Sequence, residues 1–419
     1  MKPGYKQTEV GVIPEEWDVK LLASLSTEIG DGIHSTPNYV KFSDFHFVNG
    51  NNLVTDRILI TDSTMCVSES EYNTLRKNLT DRTILLSING TIGNLAFYNG
   101  ETVVLGKSAA YVSVGKGVSK RFISYCLKSR QTALFFDNEL TGTTIRNLSL
   151  QSLRNTPIPL PPTLPEQRAI AGALSDVDAL LVSLDRLIAK KRDLKQAAMQ
   201  QLLTGQSRLP GFHEEWVMKR LNELADIRSG GTPSTSVAHF WDGNIPWCTP
   251  TDITALNGHK YLGETNRLIT PLGLKASSSE MIPAHSIVMT SRATIGECVI
   301  NTVPVSTNQG FKNFVPFDST DVDFLYYLLT TQKQGFISLC GGSTFLEIGK
   351  TQLIAYQVNL PNAKAEQTAI ASVLSEMDAE LAGLEQRRDK TRALKQGMMQ
   401  ELLTGRTRLV ASPQQGGRA

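Results

Sequence analysis

Residues 166–209, EQRAIAGALSDVDALLVSLDRLIAKKRDLKQAAMQQLLTGQSRL, recur as residues 366–409, EQTAIASVLSEMDAELAGLEQRRDKTRALKQGMMQELLTGRTRL. The two stretches are identical at 24 of 44 positions, at a constant offset of 200 residues and without a gap. That period is far too long for a solenoid, whose repeats span roughly 20–50 residues. The repeat predicts instead one folded module followed by one long helix, duplicated and fused.

Apolar residues in both stretches recur at alternating spacings of four and three, the a/d seam of helices that pack along their length. About 40 residues at a rise of ~1.5 Å make each helix roughly 60 Å long, which exceeds what an amphipathic helix on one globular domain requires. We therefore expect the two helices to pair with each other, antiparallel if the repeat follows a pseudo-twofold axis. The predicted pairing residues are Ile170, Leu174, Val177, Leu181, Leu184 and Ile188 in the first helix, and Ile370, Leu374, Met377, Leu381 and Leu384 in the second.

Polar residues interrupt each seam, Lys191 in the first helix and Arg388 with Thr391 in the second. We expect apolar seam positions to resume after them, at Leu194, Ala198 and Leu202 in the first helix and at Leu394, Met398 and Leu402 in the second. Polar residues within a seam cost stability but can fix register and partner choice.

The ends of the helices carry their own signals. Thr163 and Glu166 fit the S/T-x-x-E capping box, and Pro165 suits a first turn. Gly205 and Gly405 lie where a residue with left-handed backbone would end each helix.

The modules that precede the two helices share landmarks in the same order but differ between them. In the first module we expect strands at 45–48, 57–61, 83–88, 95–98, 102–105 and 110–114 and a helix over 120–136. The matching landmarks are 15–17 with 214–216, 30–37 with 229–235, 91–93 with 294–296, 122–127 with 324–329, and 142–144 with 342–344. This layout is expected when two copies of one fold recognise two different ligands.

These patterns predict an α+β fold with two similar globular domains, two long antiparallel coiled-coil helices between them, and a pseudo-twofold internal repeat. The predicted segments are a first domain at 1–159, a first helix at 160–209, a second domain at 210–360, a second helix at 361–409, and a disordered tail at 410–419.

Composition excludes several classes of protein. The five cysteines form no C-x-x-C pair, so they fit a reducing cytoplasm better than a disulfide framework or a zinc site. No apolar run approaches the ~18 residues that span a bilayer, so we expect no membrane association. The formal net charge of +2 is small for a protein that binds DNA by itself. Either the basic residues cluster on one face of the protein, or a partner supplies much of the phosphate neutralisation.

No catalytic constellation is evident in the sequence. It contains neither a G-x-x-x-x-G-K-[ST] phosphate loop nor an H-E-x-x-H metal site. The adenine-methyltransferase signature, Asn or Asp followed by Pro-Pro and an aromatic residue, is also absent. We therefore predict no catalytic and no metal-binding residue, and a chain that binds rather than catalyses.

Polar, Gly-rich loops remain, and they suit nucleic acid. Glycine lets backbone N–H groups approach phosphates, hydroxyls add neutral phosphate contacts, and Arg, Lys, Asn and Gln can recognise base edges. Individually, each such residue is also compatible with an ordinary solvated turn, and Trp241 and Trp247 are expected in the module core. The candidate DNA-binding residues are Gly30, Asp31, His34, Ser35, Thr36, Lys107 and Arg146 in the first module, and Ser229, Gly230, Thr232, Ser234, Thr235, Arg292, Asn308, Gln309 and Lys312 in the second.

The chain resembles the DNA-specificity (S) subunit of a Type I restriction-modification system over nearly its whole length. The most specific elements are the two Glu-Gln…Leu-Leu-Thr-Gly helices at 166–205 and 366–405. In the second module, Ser229-Gly-Gly-Thr-Pro-Ser-Thr235, Ile245-Pro-Trp247, Thr251-Asp-Ile253 and Asn308-Gln-Gly-Phe311 are similar to that family. The first module departs more, with Lys107-Ser-Ala-Ala110 where the second has Asn308-Gln-Gly-Phe311.

The resemblance implies two target-recognition domains, each recognising one half of an asymmetric bipartite site in double-stranded DNA, with the helices fixing the gap between the halves. It also implies two methyltransferase (M) subunits that carry S-adenosylmethionine and restriction (R) subunits that use ATP and Mg. This chain itself would need no cofactor. Two alternatives from other classes are a stand-alone methyltransferase or nuclease and a coiled-coil scaffold with no DNA role.

Overall fold

A computed structural model of the chain describes residues 3–141, 146–340 and 346–409. The predicted disordered tail at 410–419 and the paired landmarks at 142–144 and 342–344 lie outside these residues. Helices and strands alternate along the chain, in agreement with the predicted α+β class.

The first module contains short helices and strands, numbered here along the chain, and leads into a long helix. Its helices are α1 (Glu69–Leu75), α2 (Lys120–Leu127), α3 (Arg130–Glu139) and α4 (Leu150–Arg154), and the long helix α5 (Leu164–Leu203) follows. Its strands are β1 (Tyr5–Thr8), β2 (Gly11–Pro14), β3 (Asp18–Leu21), β4 (Ser26–Asp31), β5 (Tyr39–Val40), β6 (His46–Val48), β7 (Leu53–Val54), β8 (Arg57–Ile58), β9 (Cys66–Val67), β10 (Thr83–Ser87), β11 (Leu95–Phe97), β12 (Val103–Leu105), β13 (Ala109–Val114) and β14 (Pro157–Leu160).

The second module continues the numbering. Its helices are α6 (Pro250–Ala255), α7 (Pro271–Lys275), α8 (Val322–Thr331), α9 (Lys333–Ser338) and α10 (Lys350–Ala355), and the second long helix is α11 (Lys364–Leu402). Its strands are β15 (Trp216–Arg220), β16 (Ala225–Ser229), β17 (Trp241–Cys248), β18 (Tyr261–Leu262), β19 (Arg267–Ile269), β20 (Ile287–Thr290), β21 (Cys298–Asn301), β22 (Ser306–Thr307), β23 (Phe311–Pro316) and β24 (Gln357–Pro361).

The chain divides into two compact units, and both boundaries fall inside the long helices. Unit 1 comprises residues 1–184 and 387–419, and unit 2 comprises residues 185–386. Each unit therefore contains one globular module, the first half of the long helix that follows it, and the second half of the other long helix.

In unit 1 the central sheet has the strand order β11-β10-β13-β4, and its neighbouring pairs are antiparallel. A second sheet has the order β12-β6-β9-β5. Trp17, fully buried, lies in the main core with residues of α2. The same core contains Ile170 and Leu174 of α5 and Leu402 of α11, so the helix ends are packed into the module.

Unit 2 repeats this plan with its own additions. Its central sheet has the order β16-β23-β20-β21-β18, and a further sheet has the order β19-β17-β22. The main core contains Leu202 of α5 with Ile370 and Leu374 of α11, which are the counterparts of the helix residues in unit 1.

Within each unit the two helix segments run antiparallel. In unit 2, Lys191 pairs with Glu380 at 2.7 Å and Lys195 pairs with Asp378, so rising numbers on α5 meet falling numbers on α11. In unit 1, Lys395 pairs with Asp178 at 2.6 Å, which is the same contact with the roles of the helices exchanged. The predicted antiparallel arrangement therefore holds inside each unit.

The Glu-Gln pairs that open the two quoted stretches fasten helix to module. Buried Glu166 accepts hydrogen bonds from Arg408 Nε and Nη2, and buried Glu366 accepts from Arg208 Nε at 2.6 Å. The Gln167 side chain binds the Pro161 carbonyl and the Ser119 amide, so one amide group joins two chain segments.

The helix ends agree with their sequence signals in part. Gly205 and Gly405 have φ of +74° and +67°, as predicted for residues that end a helix in the left-handed region. The Glu166 amide donates to Thr163 Oγ1 at 3.4 Å, which is one half of the predicted capping box. The Glu166 carboxylate binds Arg408 instead of completing that box.

The predicted pairing residues differ in burial. The buried members are Ile170, Leu174, Leu184, Ile188, Ile370, Leu374 and Leu381, whereas Val177, Leu181, Met377 and Leu384 are half-buried. The expected resumption of the seam was wrong at Leu194 and Leu394, whose side chains are 46% and 59% exposed. At the later positions Leu202 and Leu402 are buried, and Ala198 and Met398 are half-buried. Lys195 and Lys395 point towards the facing helix instead, because each ammonium reaches an aspartate there. The aliphatic part of a lysine side chain can cover apolar surface in such a position.

Two further expectations for the first module need correction. The helix expected over 120–136 is two helices, α2 and α3, because Ser129 caps α3 by accepting from the Thr132 amide. The strand expected at 57–61 contains two residues, β8. In the described part of the chain, no helix is long and apolar enough to cross a membrane.

Candidate nucleic-acid interface

The candidate interface of unit 1 lies at one end of the central sheet, where three connecting segments meet. Strand β10 ends at Ser87, and the Ile88 amide then donates to the Ser108 carbonyl at 3.0 Å. The Leu148 amide donates to the Ile88 carbonyl at 2.9 Å, which brings the segment before α4 to the same place. Backbone hydrogen bonds thus fix these segments, and their side chains are free to project from them.

The Gly-rich loop at residues 30–36 forms a further wall. A Cβ atom added at Gly32 would lie 2.0 Å from the Leu105 carbonyl oxygen, so the loop can pass at this distance only with glycine. The Asp31 carboxylate binds His34 Nε2 at 2.9 Å and orients the imidazole at the exposed edge of the loop.

These segments enclose a groove of about 610 Å³. Half of its lining residues are asparagine, serine or lysine, which offer both hydrogen-bond donors and acceptors. The lining residues are Asp31, His34, Asn49, Ile88, Asn89, Gly90, Lys107, Ser108, Asn147, Leu148, Ser149 and Leu150.

Unit 2 forms the same backbone framework at the matching end of its sheet. The Ser291 amide donates to the Gly310 carbonyl at 2.7 Å, and the Ile348 amide donates to the Ser291 carbonyl at 3.1 Å. A Cβ atom at Gly230 would lie 1.9 Å from the Asn308 carbonyl oxygen, the counterpart of the close approach at Gly32.

The side chains on this shared framework differ between the units. A backbone bridge joins Asn89 to Asn147 in unit 1, and the equivalent bridge in unit 2 joins Arg292 to Glu347. The Arg292 guanidinium and the Glu347 carboxylate form an ion pair at 2.9 Å. A neutral amide pair in one unit therefore corresponds to a charged pair in the other.

Lys312 lies near this charged pair, on β23, an interior strand of the sheet. It is only 6% exposed, and its Nζ lies 3.4 Å from the Phe311 carbonyl oxygen. Burial lowers the pKa of the Lys312 ammonium; the charge of Glu347 opposes that shift, whereas Arg292 and Lys350 add to it. The side chains of Lys312, Arg292 and Lys350 thus concentrate positive charge at the sheet end of unit 2.

The structure groups the predicted DNA-binding residues unequally. In unit 1 it brings Asp31, His34 and Lys107 into one groove, with Arg146 beside the lining residue Asn147. In unit 2, Arg292, Asn308 and Lys312 share the sheet end, and Thr232 Oγ1 donates to Gln309. Two predicted pairs, Ser35 with Thr36 and Ser234 with Thr235, are exposed loop residues outside these clusters. Gly30 and Ser229 lie in strands β4 and β16, which lead into the Gly-rich loops, and Gly230 follows β16 directly.

Sequence reasoning missed five polar lining residues of unit 1: Asn49, Asn89, Ser108, Asn147 and Ser149. The repeat itself contained a signal for one of them, because Asn89-Gly-Thr-Ile-Gly93 aligns with Arg292-Ala-Thr-Ile-Gly296 and Arg292 was already a candidate. Asn49 carried no such signal. Its side chain reaches the groove through a hydrogen bond from Ser108, 59 residues away in the chain.

Trp241 and Trp247 are buried, as predicted for core residues. Their rings meet edge to face with centroids 5.0 Å apart, and the Arg267 guanidinium lies 3.9 Å from the centroid of Trp241. Trp247 Nε1 also donates to the Gly231 carbonyl at 3.0 Å, so the aromatic pair anchors the Gly-rich loop. These tryptophans position the loop and are not exposed platforms for bases.

Potential metal ligands and nucleophiles are dispersed. Among residues 3–141, 146–340 and 346–409, no three His, Cys, Asp or Glu side chains are arranged to hold a metal ion. Burial raises the pKa of the Cys126 and Cys298 thiols, which leaves them unreactive.

Comparison with models of known protein families identifies the family to which the chain belongs. The model of the Type I restriction modification DNA specificity domain matches residues 15–191 and again residues 213–391. The chain belongs to this family. The resemblance inferred from the two Glu-Gln…Thr-Gly helices is thereby confirmed, and each matched copy contains one globular module with the first part of its long helix.

Curated members of the family are similar over different lengths. The Type I restriction enzyme MjaIX specificity subunit of Methanocaldococcus jannaschii is 36% identical over 167 residues, which cover 39% of this chain and 38% of that protein. The EcoR124I/EcoR124II specificity subunit of Escherichia coli is 27% identical over 55% of this chain and 57% of that protein. The putative MjaX specificity subunit of M. jannaschii is 25% identical over 97% of both chains.

Solved structures of the family share the fold. The S subunit of the Type I system of M. genitalium has a TM-score of 0.56 and 17% identity, covering 92% of this chain and 96% of that one. A chain from a structure that describes complex assembly and conformational transition of the Type I system has a TM-score of 0.63 and 17% identity, covering 94% and 99%. The likeness supports the family's domain-and-helix fold for this chain.

Proposed function

We propose that this chain is the sequence-specific DNA-binding subunit of a Type I restriction-modification complex in the cytoplasm. Each globular module recognises one half of an asymmetric bipartite site in double-stranded DNA. We assign the first module to 1–159 and the second to 210–360, with the helical segments 160–209 and 361–409 setting the unread gap.

One observation carries this proposal: two units build the same groove framework and line it with different polar side chains. The backbone bridge between residues 89 and 147 has its counterpart between residues 292 and 347, yet the side chains change from two amides to an ion pair. A repeated scaffold with unlike linings is what recognition of two different half-sites requires, because sequence is recognised by side chains at base edges.

The linings support a division of roles within each interface. Asn89 and Asn147 present amides that suit adenine, whereas Lys107 and Arg292 suit guanine or a phosphate. The Gly-rich loops, which bring exposed hydroxyls of Ser35, Thr36, Ser234 and Thr235 with them, suit phosphate contacts that position the duplex. Asn308, Gln309 and Lys312 supply the corresponding donors and acceptors in unit 2.

The helices are proposed to dock two methyltransferase subunits, and restriction subunits would join through them. S-adenosylmethionine would bind to the methyltransferase subunits, and ATP with Mg to the restriction subunits. The present chain would supply specificity rather than catalysis. This division is supported by family membership.

DNA protection in the presence of the methyltransferase subunits tests the proposal. We expect two protected segments on either side of an unprotected gap, at a sequence that competitor DNA of random sequence does not occupy. Protection without sequence dependence would contradict it. Methyl transfer by the purified chain alone, with S-adenosylmethionine, would contradict its non-catalytic role.

A further inference from the structure

A second groove in unit 1 has an unusual concentration of positive charge. It has a volume of about 440 Å³ and lies between the segment that leads into α2 and the first turns of α5. Its lining includes one carboxylate, Asp176. The cations that line it are Arg82, Lys116, Lys120, Arg121 and Arg168.

Two of the cations are held by backbone carbonyls and form the rear of the groove. Arg82 donates to the Val114 carbonyl at 2.8 Å and to the Gly115 and Val118 carbonyls at 2.6 Å each. Lys120 donates to the Asp81 carbonyl, and burial lowers the pKa of its ammonium. These contacts hold the two side chains in place.

The other three cations form the open side. Lys116, Arg121 and Arg168 are exposed, and Arg121 Nη1 donates to Ser175 Oγ at 2.7 Å. In the part of the chain that the structure describes, none of the five cations of the groove forms an ion pair within 4.0 Å. A concave surface with both half-buried and exposed cations is complementary to carboxylates or phosphates.

The position of the groove favours protein carboxylates over DNA. Arg82 immediately precedes β10 and Lys116 follows β13, whereas Ile88 and Lys107 of the candidate DNA interface lie at the opposite ends of these strands. At ~3.3 Å per residue, the strands place the two grooves roughly 15–20 Å apart. The floor of the basic groove is α5, an element proposed to dock the methyltransferase subunits.

Unit 2 does not repeat this charge. The alignment of the two units is fixed by matching contacts, since the Ser119 amide donates to Gln167 at 2.9 Å and the Asp321 amide donates to Gln367 at 3.0 Å. Arg121 then corresponds to Asp323.

The second exposed cation is also replaced. Arg168 corresponds to Thr368, whereas the carboxylate of Asp176 is kept as Glu376. Asp323, at the position of Arg121, is paired with Lys260 at 2.5 Å. The two units therefore offer different charges to partners that bind at equivalent places.

We infer that the basic groove of unit 1 docks an acidic segment of a methyltransferase subunit. This inference rests on the proposed function and adds the chemistry of one contact. Because Asp323 and Thr368 of unit 2 replace Arg121 and Arg168, the segment is engaged at one of the two docking positions, and the two copies of the partner are held by unlike electrostatic contacts.

Charge reversal tests the inference in the full-length chain. Arg121→Glu with Arg168→Glu reverses the charge of two of the three cations on the open side of the groove. As the control, Lys20→Glu with Arg130→Glu reverses the charge of two exposed cations outside the groove. Binding of the methyltransferase subunit of the same system is measured by titration calorimetry at several salt concentrations.

We expect the groove variant to bind the first equivalent of methyltransferase subunit on the order of tenfold more weakly at low salt, with a reduced dependence on salt, while the control variant matches wild type. Arg121→Gln with Arg168→Gln gives a smaller loss in the same direction. Thermal unfolding of each variant distinguishes lost binding from lost folding.

Equal affinity of a folded groove variant and the control would overturn the inference. So would an unchanged affinity for the methyltransferase subunit combined with weaker binding of duplex DNA alone, which would make the groove a phosphate site. If the wild-type chain itself fails to bind the methyltransferase subunit, the proposed function fails and this inference fails with it.

Discussion

At the scale of single residues, the helices are joined to the modules by buried charges that recur with the repeat. Glu166 is 2% exposed and is held by Arg408, while Glu366, also buried, is held by Arg208. Each carboxylate depends on an arginine that follows the Thr-Gly end of the other long helix. The identical Glu and Arg positions in the two quoted stretches are therefore structural contacts.

Replacing Arg408 tests this contact. Arg408→Met leaves the Glu166 carboxylate buried without its cation, so we expect unfolding of unit 1 to require about 3 kcal/mol less. Urea unfolding measures the change, and Arg408→Met with Glu166→Gln is expected to recover part of it. Arg208→Met is the matched variant for unit 2. A loss below about 0.5 kcal/mol would contradict a buried pair, since that is the size of an exposed one.

Tyr111 gives a dependence on pH. Burial and its hydrogen bond to Glu28 Oε1 at 2.7 Å raise the pKa of its phenol to about 12. A raised pKa of an acid means that the folded chain retains a proton that the unfolded chain releases near pH 10. The phenol therefore contributes stability below about pH 10 that is lost as pH rises towards 12, and Tyr111→Phe is expected to flatten that loss. Urea midpoints measured from pH 9 to 12 check this; equal slopes for the two chains would contradict it.

At the scale of elements, how much could be predicted depended on whether the signal was local or repeated. The long helices, their left-handed glycines and their antiparallel direction followed from periodicity and from the repeat. The prediction of an apolar seam position at Leu194 was wrong, because periodicity alone cannot show that Lys195 reaches an aspartate on the facing helix. The groove residue Asn49 could not be predicted, because its partner Ser108 is distant in sequence.

The Gly-rich loops lead to a prediction at this scale. A Cβ atom at Gly32 or Gly230 would overlap a backbone carbonyl, at 2.0 Å and 1.9 Å respectively, so alanine must displace the loop from its groove. We expect Gly32→Ala and Gly230→Ala each to weaken specific DNA binding by at least about tenfold, measured by fluorescence anisotropy with the methyltransferase subunits present.

The matched control is Gly383→Ala in α11, where a Cβ atom would meet nothing within 4 Å. That substitution is expected to keep DNA affinity and to raise stability by up to about 1 kcal/mol, because alanine favours a helix. Tight, specific DNA binding by Gly230→Ala would show that the loop does not take part in recognition.

At the scale of the whole molecule, each unit combines its own module with halves of both long helices, and both unit boundaries fall within those helices. A change at these boundaries leaves the contacts inside each unit in place. The proposed measuring role of the helices can therefore be tested separately from the proposed recognition role of the modules.

Seven residues inserted in both helices, after Leu184 and after Gln386, preserve the seam because they add one heptad. At ~1.5 Å per residue they add roughly 10 Å, or about three base pairs at ~3.4 Å each. We expect the gap in the recognised site to lengthen by about three base pairs while both half-sites keep their sequences. Selection of binding sites from random DNA measures this, and an unchanged gap would contradict a measuring role for the helices.

The central claim is that two unlike modules recognise two separate half-sites, and a module exchange tests it most directly. Residues 210–360 are replaced with the matching module of a related specificity subunit, and the methylated motif is determined by sequencing host DNA. The account predicts that one half-site changes to that of the donor, while the other half-site and the gap stay the same. A motif that changes in both halves, or in neither, would contradict it.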